Sequence, residues 1–225
     1  MTSQLEREIK TLREIADNYP NEWYKKIKPE HTYDTPHDAE SITNLVETSC
    51  LAVREPSSPR IQYFVSRCAL FSTYDLNAIG FSKLELILSE VFWRLDELFF
   101  FGMLTRRVYS RIDHWMQNLV VLKVLRKHNP KFRGAFSGEG TIKLVPNADG
   151  WPYFEELLFV IVHEMTHAWL EIFSDIKHPK HEELVSKNFG HGAKFIELIC
   201  FIAPYIAYLK SNSSQGMLGP LTTYC

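Results

Sequence analysis

The sequence predicts a mixed architecture, with helices towards both ends of the chain and a short run of strands between them. Three observations carry this. Apolar residues recur at helical spacing in several separate stretches, glycine-punctuated β-prone segments follow near the middle, and an apolar run from Phe154 to Phe173 reads as one buried helix. At 225 residues and 45% hydrophobic content the chain can bury a proper core, most simply as one domain. Within it we distinguish a helical region over residues 1–80, a core over 81–210 and a tail over 211–225.

Leu5, Ile9, Leu12, Ile15 and Ala16 line one face of an amphipathic helix over residues 3–19, ended by Pro20. Residues 20–38 carry three prolines and read as an irregular linker. Asp38 is placed to cap a second helix over residues 39–54, with Ile42, Leu45, Val46 and Leu51 facing inward. Residues 61–71 fit strand or buried helix, and helix is preferred because a lone strand there would lack a neighbour. Ser82 and Glu85 have the spacing of a capping box. A stripe of Leu84, Leu88, Val91, Phe92, Leu95, Leu98 and Phe99 follows and ends at Gly102. Residues 108–115 alternate like a half-buried strand. Residues 119–126 are read as helix, although their Val-Val-Leu centre also fits a strand. Residues 134–137 and 141–145, separated by Gly138-Glu139-Gly140, read as a hairpin closed by Pro146.

The buried run contains His163-Glu164-Met165-Thr166-His167. Two histidines four apart stack on one helix face, so both imidazoles can reach one metal ion at about 2.0–2.1 Å. Glu164 points about 100° around the helix, close enough to touch a metal-bound water without being a ligand. This is the H-E-x-x-H arrangement of zinc peptidases. Leu157, Leu158, Val160, Ile161, Val162, Ala168, Trp169 and Leu170 surround it, so the polar trio sits in a core where its groups need partners. A metal would satisfy all three; the competing reading is a metal-free helix with two satisfied core histidines.

A catalytic zinc site takes three protein ligands and a water. His178 and His181 fall in the charged stretch 175–187, which reads as a solvated loop, and both are expected to be exposed. His191 is bracketed by Gly190 and Gly192 and leads into a helix beginning near Ala193, which favours it as the third ligand over a mere helix cap.

The totals exclude some classes. A formal net charge of −2 rules out a polycation that would coat nucleic acid or membrane through its overall charge. No apolar leader opens the chain, and no charge-free apolar run reaches the roughly 18–20 residues of a membrane span, so no membrane partner is expected. The four cysteines form no C-x-x-C pair and no disulfide framework, which points to an intracellular setting, nuclear or cytoplasmic. Between residues 105 and 133 eight Lys or Arg stand against one acid, Asp113. Arg106, Arg107, Lys123, Arg126 and Lys127 are candidate nucleic-acid contacts; the plainer reading is an exposed face neutralised elsewhere in the fold.

Four segments in order resemble the SprT-like (Spartan-type) zinc metallopeptidases. They are Glu97-Leu98-Phe99-Phe100-Phe101-Gly102-Met103-Leu104, then Arg133-Gly134-Ala135-Phe136 with Gly140-Thr141-Ile142-Lys143-Leu144, then His163-Glu164-Met165-Thr166-His167-Ala168, then Gly190-His191-Gly192-Ala193-Lys194-Phe195. The resemblance covers about residues 84–208, with residues 175–187 as an apparent insertion. It implies an α+β fold, a helical N-terminal region followed by a zincin core with a small sheet beside the metal helix. It implies Zn2+ on His163, His167 and His191, with Glu164 as catalytic acid and base. The expected function is a zinc-dependent endopeptidase acting on protein or peptide substrates, DNA-associated or DNA-crosslinked proteins among them. The alternative is a catalytically silent, zinc-stabilised module that binds nucleic acid or a protein partner through the basic 105–133 segment.

Overall fold

The long apolar run becomes α5 (Phe154–Phe173), and the rest of the chain packs around it in a computed structural model that describes residues 3–18, 37–53, 58–110, 115–137 and 140–212. The fold is α+β; the described residues are 61% helical and form one sheet of two strands and one of three. In order come α1 (Ser3–Asn18), α2 (Ala39–Val53), α3 (Pro59–Ser72), α4 (Phe81–Phe99), β1 (Arg107–Ser110), β2 (Trp115–Asn118), β3 (Val121–Val124), β4 (Gly134–Ser137) and β5 (Thr141–Leu144). After α5 follow α6 (Lys187–Gly190), a single turn, and α7 (Ala193–Asn212). The linker expected at 20–38 falls, as far as residue 36, outside the described residues, as do residues 54–57, the hairpin tip at 138–139, Arg111, Asp113 and the tail from residue 213.

α5 is buried on almost every side because almost every side is covered: it touches α1, α2, α3, α4 and α7, and both β4 and β5. Leu12, Ile42, Val46 and Phe64 of the first three helices share one apolar cluster with Leu88, Trp169 and Leu198. Trp169 is fully buried and packs on Phe100 at 5.5 Å and Phe173 at 4.6 Å between ring centroids. Truncating an aromatic ring in such a place costs about 3–5 kcal/mol.

The helix starts follow local chemistry. Asp38 accepts the Ser41 N–H at 2.7 Å, so the expected cap on α2 forms. Residues 61–71 are helix, within α3, with Pro59 in its first turn. The capping box at Ser82 and Glu85 does not form: α4 begins at Phe81 with Gly80 at its N-cap, and the Gly80 carbonyl accepts the Lys83 and Leu84 N–H groups. At the other end of α4, Asp96 is buried and accepts bonds from the Leu104 N–H, the Thr105 N–H and the Thr105 hydroxyl. These bonds fold Phe101 and Gly102, both at positive φ, back over the helix and aim β1.

Two sequence expectations are corrected in the sheets. Residues 108–115 are not one strand; β1 ends at Ser110 and β2 begins at Trp115, paired antiparallel with Tyr109 opposite Met116. Residues 119–126 are not a helix. Their centre is β3, parallel to β5 in a sheet ordered β3-β5-β4, with Val120 and Val124 buried while Lys123 faces solvent. A β-branched run this short gains more from a ladder with β5 than from a two-turn helix. The expected hairpin forms, β4 and β5 pairing antiparallel from Gly134 opposite Leu144 to Ser137 opposite Thr141. β4 lies beside α5. Among the described residues no single helix is long and apolar enough to cross a membrane.

Candidate metal centre

α5 sets His163 and His167 one turn apart, and their Nε2 atoms stand 3.2 Å from each other. The turn before α7 brings His191, whose Nε2 lies 3.2 Å from that of His163. One nitrogen from each ring lies within 4.8 Å of the others, a cluster that could hold a metal ion. His191 Nδ1 is 3.1 Å from the Asn188 carbonyl, which can only accept; the N–H is therefore on Nδ1, and the lone pair of Nε2 faces the other two imidazoles. Burial, helped by the neighbouring imidazoles, pushes His163 down to about 4 and His167 down to about 3, so both are neutral at pH 7.

An apolar platform backs the cluster. Phe195, from the first turn of α7, stacks on His167 with centroids 4.2 Å apart, and lies 4.9 Å from His163 and 4.7 Å from His191. Gly190 has φ +91°, and a Cβ there would stand 3.0 Å from His167 Cε1, so the backbone passes directly over the His167 ring. At Gly192 a Cβ would run into the Leu184 carbonyl and Val185 nitrogen, and its N–H donates to the Val185 carbonyl.

Glu164 faces a different wall. It is buried, and one carboxylate oxygen accepts the Phe136 N–H of β4 at 2.6 Å. Burial pushes its carboxyl up to about 7. The strand comes this close because of Gly134, where a Cβ would stand 2.5 Å from Val160 Cγ1 and 2.9 Å from Glu164 Cγ. The Val145 N–H donates to the Arg133 carbonyl, so by the antiparallel alternation Ala135 and Ser137 bond towards β5 while Gly134 and Phe136 turn outward. β4 thus presents a sheet edge along α5.

The structure brings together His163, His167, His191 and Glu164 and leaves His178 and His181 apart. The expectation that both outlying histidines are exposed is corrected for His181: it is buried, with Nδ1 3.3 Å from the Ser174 hydroxyl. The stretch 175–187 is not a solvated loop throughout, since Glu182–Ser186 forms a π-helical turn that buries Val185 against α7. The basic residues spread over several elements. Arg106 makes a two-pronged pair with Asp17 of α1, both bonds 2.7 Å, Arg126 lies over the Phe81 ring, and Arg107, Lys123 and Lys127 are exposed. Sequence reasoning missed the Phe136 amide as the partner of Glu164, and Gly134 was the available signal for it. It also passed over Glu171, one turn beyond His167 on α5, whose carboxyl burial pushes up. No protein-family model, curated protein or solved structure matches the chain.

Proposed function

We propose that this chain is a zinc-dependent endopeptidase of the SprT-like kind, hydrolysing peptide bonds in protein substrates. The convergence of three Nε2 atoms beside a buried glutamate carries the reading. Nitrogens bound at about 2.0–2.1 Å around a tetrahedral ion stand about 3.3–3.4 Å apart, against 3.2 Å from His163 to each of the other two imidazoles, and neutral imidazoles are the donors zinc takes. When bound, zinc supplies Lewis acidity that polarises a carbonyl and brings the pKa of water from 15.7 towards about 7.

The chain's own residues do the rest. The β4 edge offers outward backbone groups to an extended substrate, in the manner of strand addition. Glu164 is held through one oxygen by the Phe136 N–H, which leaves the other to take the proton from water attacking the carbonyl carbon. It then delivers that proton to the nitrogen as the C–N bond breaks, giving a carboxylic acid and an amine, which exchange the remaining proton to end as carboxylate and ammonium. The four ordered segments shared with SprT-like enzymes support the same assignment, and proteins bound or crosslinked to DNA are the substrates that family suggests.

One observation favours a second reading, a silent nucleic-acid-binding module. Tyr109 and Trp115 are 53% and 62% exposed on the β1–β2 hairpin that also carries Arg107, a pairing of aromatic and basic groups suited to single strands. Glu164→Gln separates the two. Under the peptidase reading it keeps the metal and abolishes cleavage of an unfolded protein substrate; cleavage at the parental rate sinks that reading.

A further inference from the structure

The turn that delivers His191 carries a feature metal binding does not require. Asn188 (φ 54°, ψ 48°) and Phe189 (φ 62°, ψ 39°) both lie in the left-handed region. Asparagine tolerates that conformation, and here its carbonyl fixes His191. A bulky phenylalanine does not favour it. Yet the Phe189 side chain is 101% exposed, so it gains nothing from packing in the free protein. An apolar ring held in water on strained backbone is placed for contact with something else.

Its neighbours say where. The backbone at Gly190 lies against the His167 ring, and His191 joins the cluster two residues after Phe189. β4, with half-buried Phe136, comes against α5 at Glu164. The 188–191 turn comes against the same helix at His167, three residues on from Glu164, and ends at His191 in the cluster. Phe159, one turn before His163, adds a half-buried ring 6.2 Å from that imidazole. A chain extended along β4 passes the cluster with side chains alternating to either side.

We infer that Phe189 is a specificity-determining contact that receives a large apolar side chain flanking the scissile bond. The favoured substrates are then locally unfolded polypeptides bearing an aromatic or aliphatic residue at that position, since folded domains bury such residues. The inference rests on the peptidase reading above and deepens it.

The test uses the zinc-loaded full chain. Cleavage sites in an unfolded, disulfide-free protein are mapped by mass spectrometry, and peptides are made with Phe, Leu or Ser at the flanking positions. The parent should favour Phe over Ser by about 10- to 100-fold in kcat/KM. Phe189→Ala should bring that ratio within about 3-fold, Phe189→Leu should keep most of it, and all three proteins should hold zinc equally. Phe189→Gly should lose the preference while raising Tm by about 2 °C, because glycine relieves the left-handed strain; a residue that only shaped the turn would not trade one for the other. Cleavage without apolar preference, or a preference that survives Phe189→Ala, overturns this inference alone. If the parent cleaves no peptide or protein, the peptidase reading falls and this inference falls with it.

Discussion

Replacing Gly134 by Ala tests whether the approach of β4 to α5 sets the reactivity of Glu164. The new Cβ would stand 2.5 Å from Val160 Cγ1, 2.9 Å from Glu164 Cγ and 3.0 Å from Glu164 Oε1. Carbon atoms in contact prefer about 3.5–4.0 Å, so the strand must retreat by about 1 Å. That takes the Phe136–Glu164 bond from 2.6 Å to about 3.6 Å, beyond hydrogen-bonding range. Overpacking of this kind costs about 1–3 kcal/mol, which for a chain of this length lowers Tm by about 2–12 °C. A catalytic group misplaced by about 1 Å loses about 100-fold in rate. The expected result is a kcat/KM about 100-fold down on a peptide substrate, with one zinc per chain still present by elemental analysis. Adding Val160→Ala removes the nearest clash and should recover part of the Tm, but less of the rate, because the contact with Glu164 remains. A Gly134→Ala protein that cleaves within 2-fold or so of the parent would refute the positioning argument.

Two further predictions concern the metal and protons. His191→Ala should weaken zinc binding by more than about 100-fold in chelator competition, since disturbing even an outer hydrogen bond to a ligand costs about 10–100-fold. In the presence of a chelator, pH acts on stability with opposite signs through the two kinds of buried group. His163 and His167 are pushed below their usual value, so their contribution is complete above about pH 6.5 and is lost as pH falls towards about 4 and 3. Glu164 is pushed up to about 7, so its contribution is complete below about pH 4.5 and is lost as pH rises through 7. Thermal melts should therefore find Glu164→Gln more stable than the parent at pH 8, with the gap closing by pH 5; a gap that widens on acidification contradicts the sign.

How legible the site was depends on how local its determinants are. His163 and His167 follow from a spacing of four on one helix, and paired glycines around His191 marked a backbone that must come close. The β4–β5 hairpin was visible for a similar reason, since its two strands are separated by a short glycine-bearing turn. β3 was not, because its ladder partner β5 lies some twenty residues on, and no local window shows that the Val-Val-Leu segment has anything to pair with. The β1–β2 turn has no Asn-Gly or Asp-Gly, so its two strands read as one. His181 looked exposed because its neighbours are charged; its burial depends on Ser174 and on a π-helical turn that the charge pattern does not announce.

The polar residues define the chemistry, but glycines decide whether those residues meet. A helix alone supplies two imidazoles and points Glu164 about 100° away from His163 and about 60° away from His167. Completing the set takes three backbone approaches, each at a glycine: Gly134 lets β4 reach Glu164, Gly190 lets the turn pass over His167, and Gly192 lets α7 start against the π-helical turn. At each, a Cβ would lie about 3 Å or less from a neighbouring atom, inside the contact distance of any side chain. It follows that alanine at these glycines should perturb the centre more than alanine at exposed Lys123 or Lys127. On the proposed mechanism, Gly134, which lies against Glu164, should act on rate, whereas Gly190, which lies against His167, should act on metal affinity.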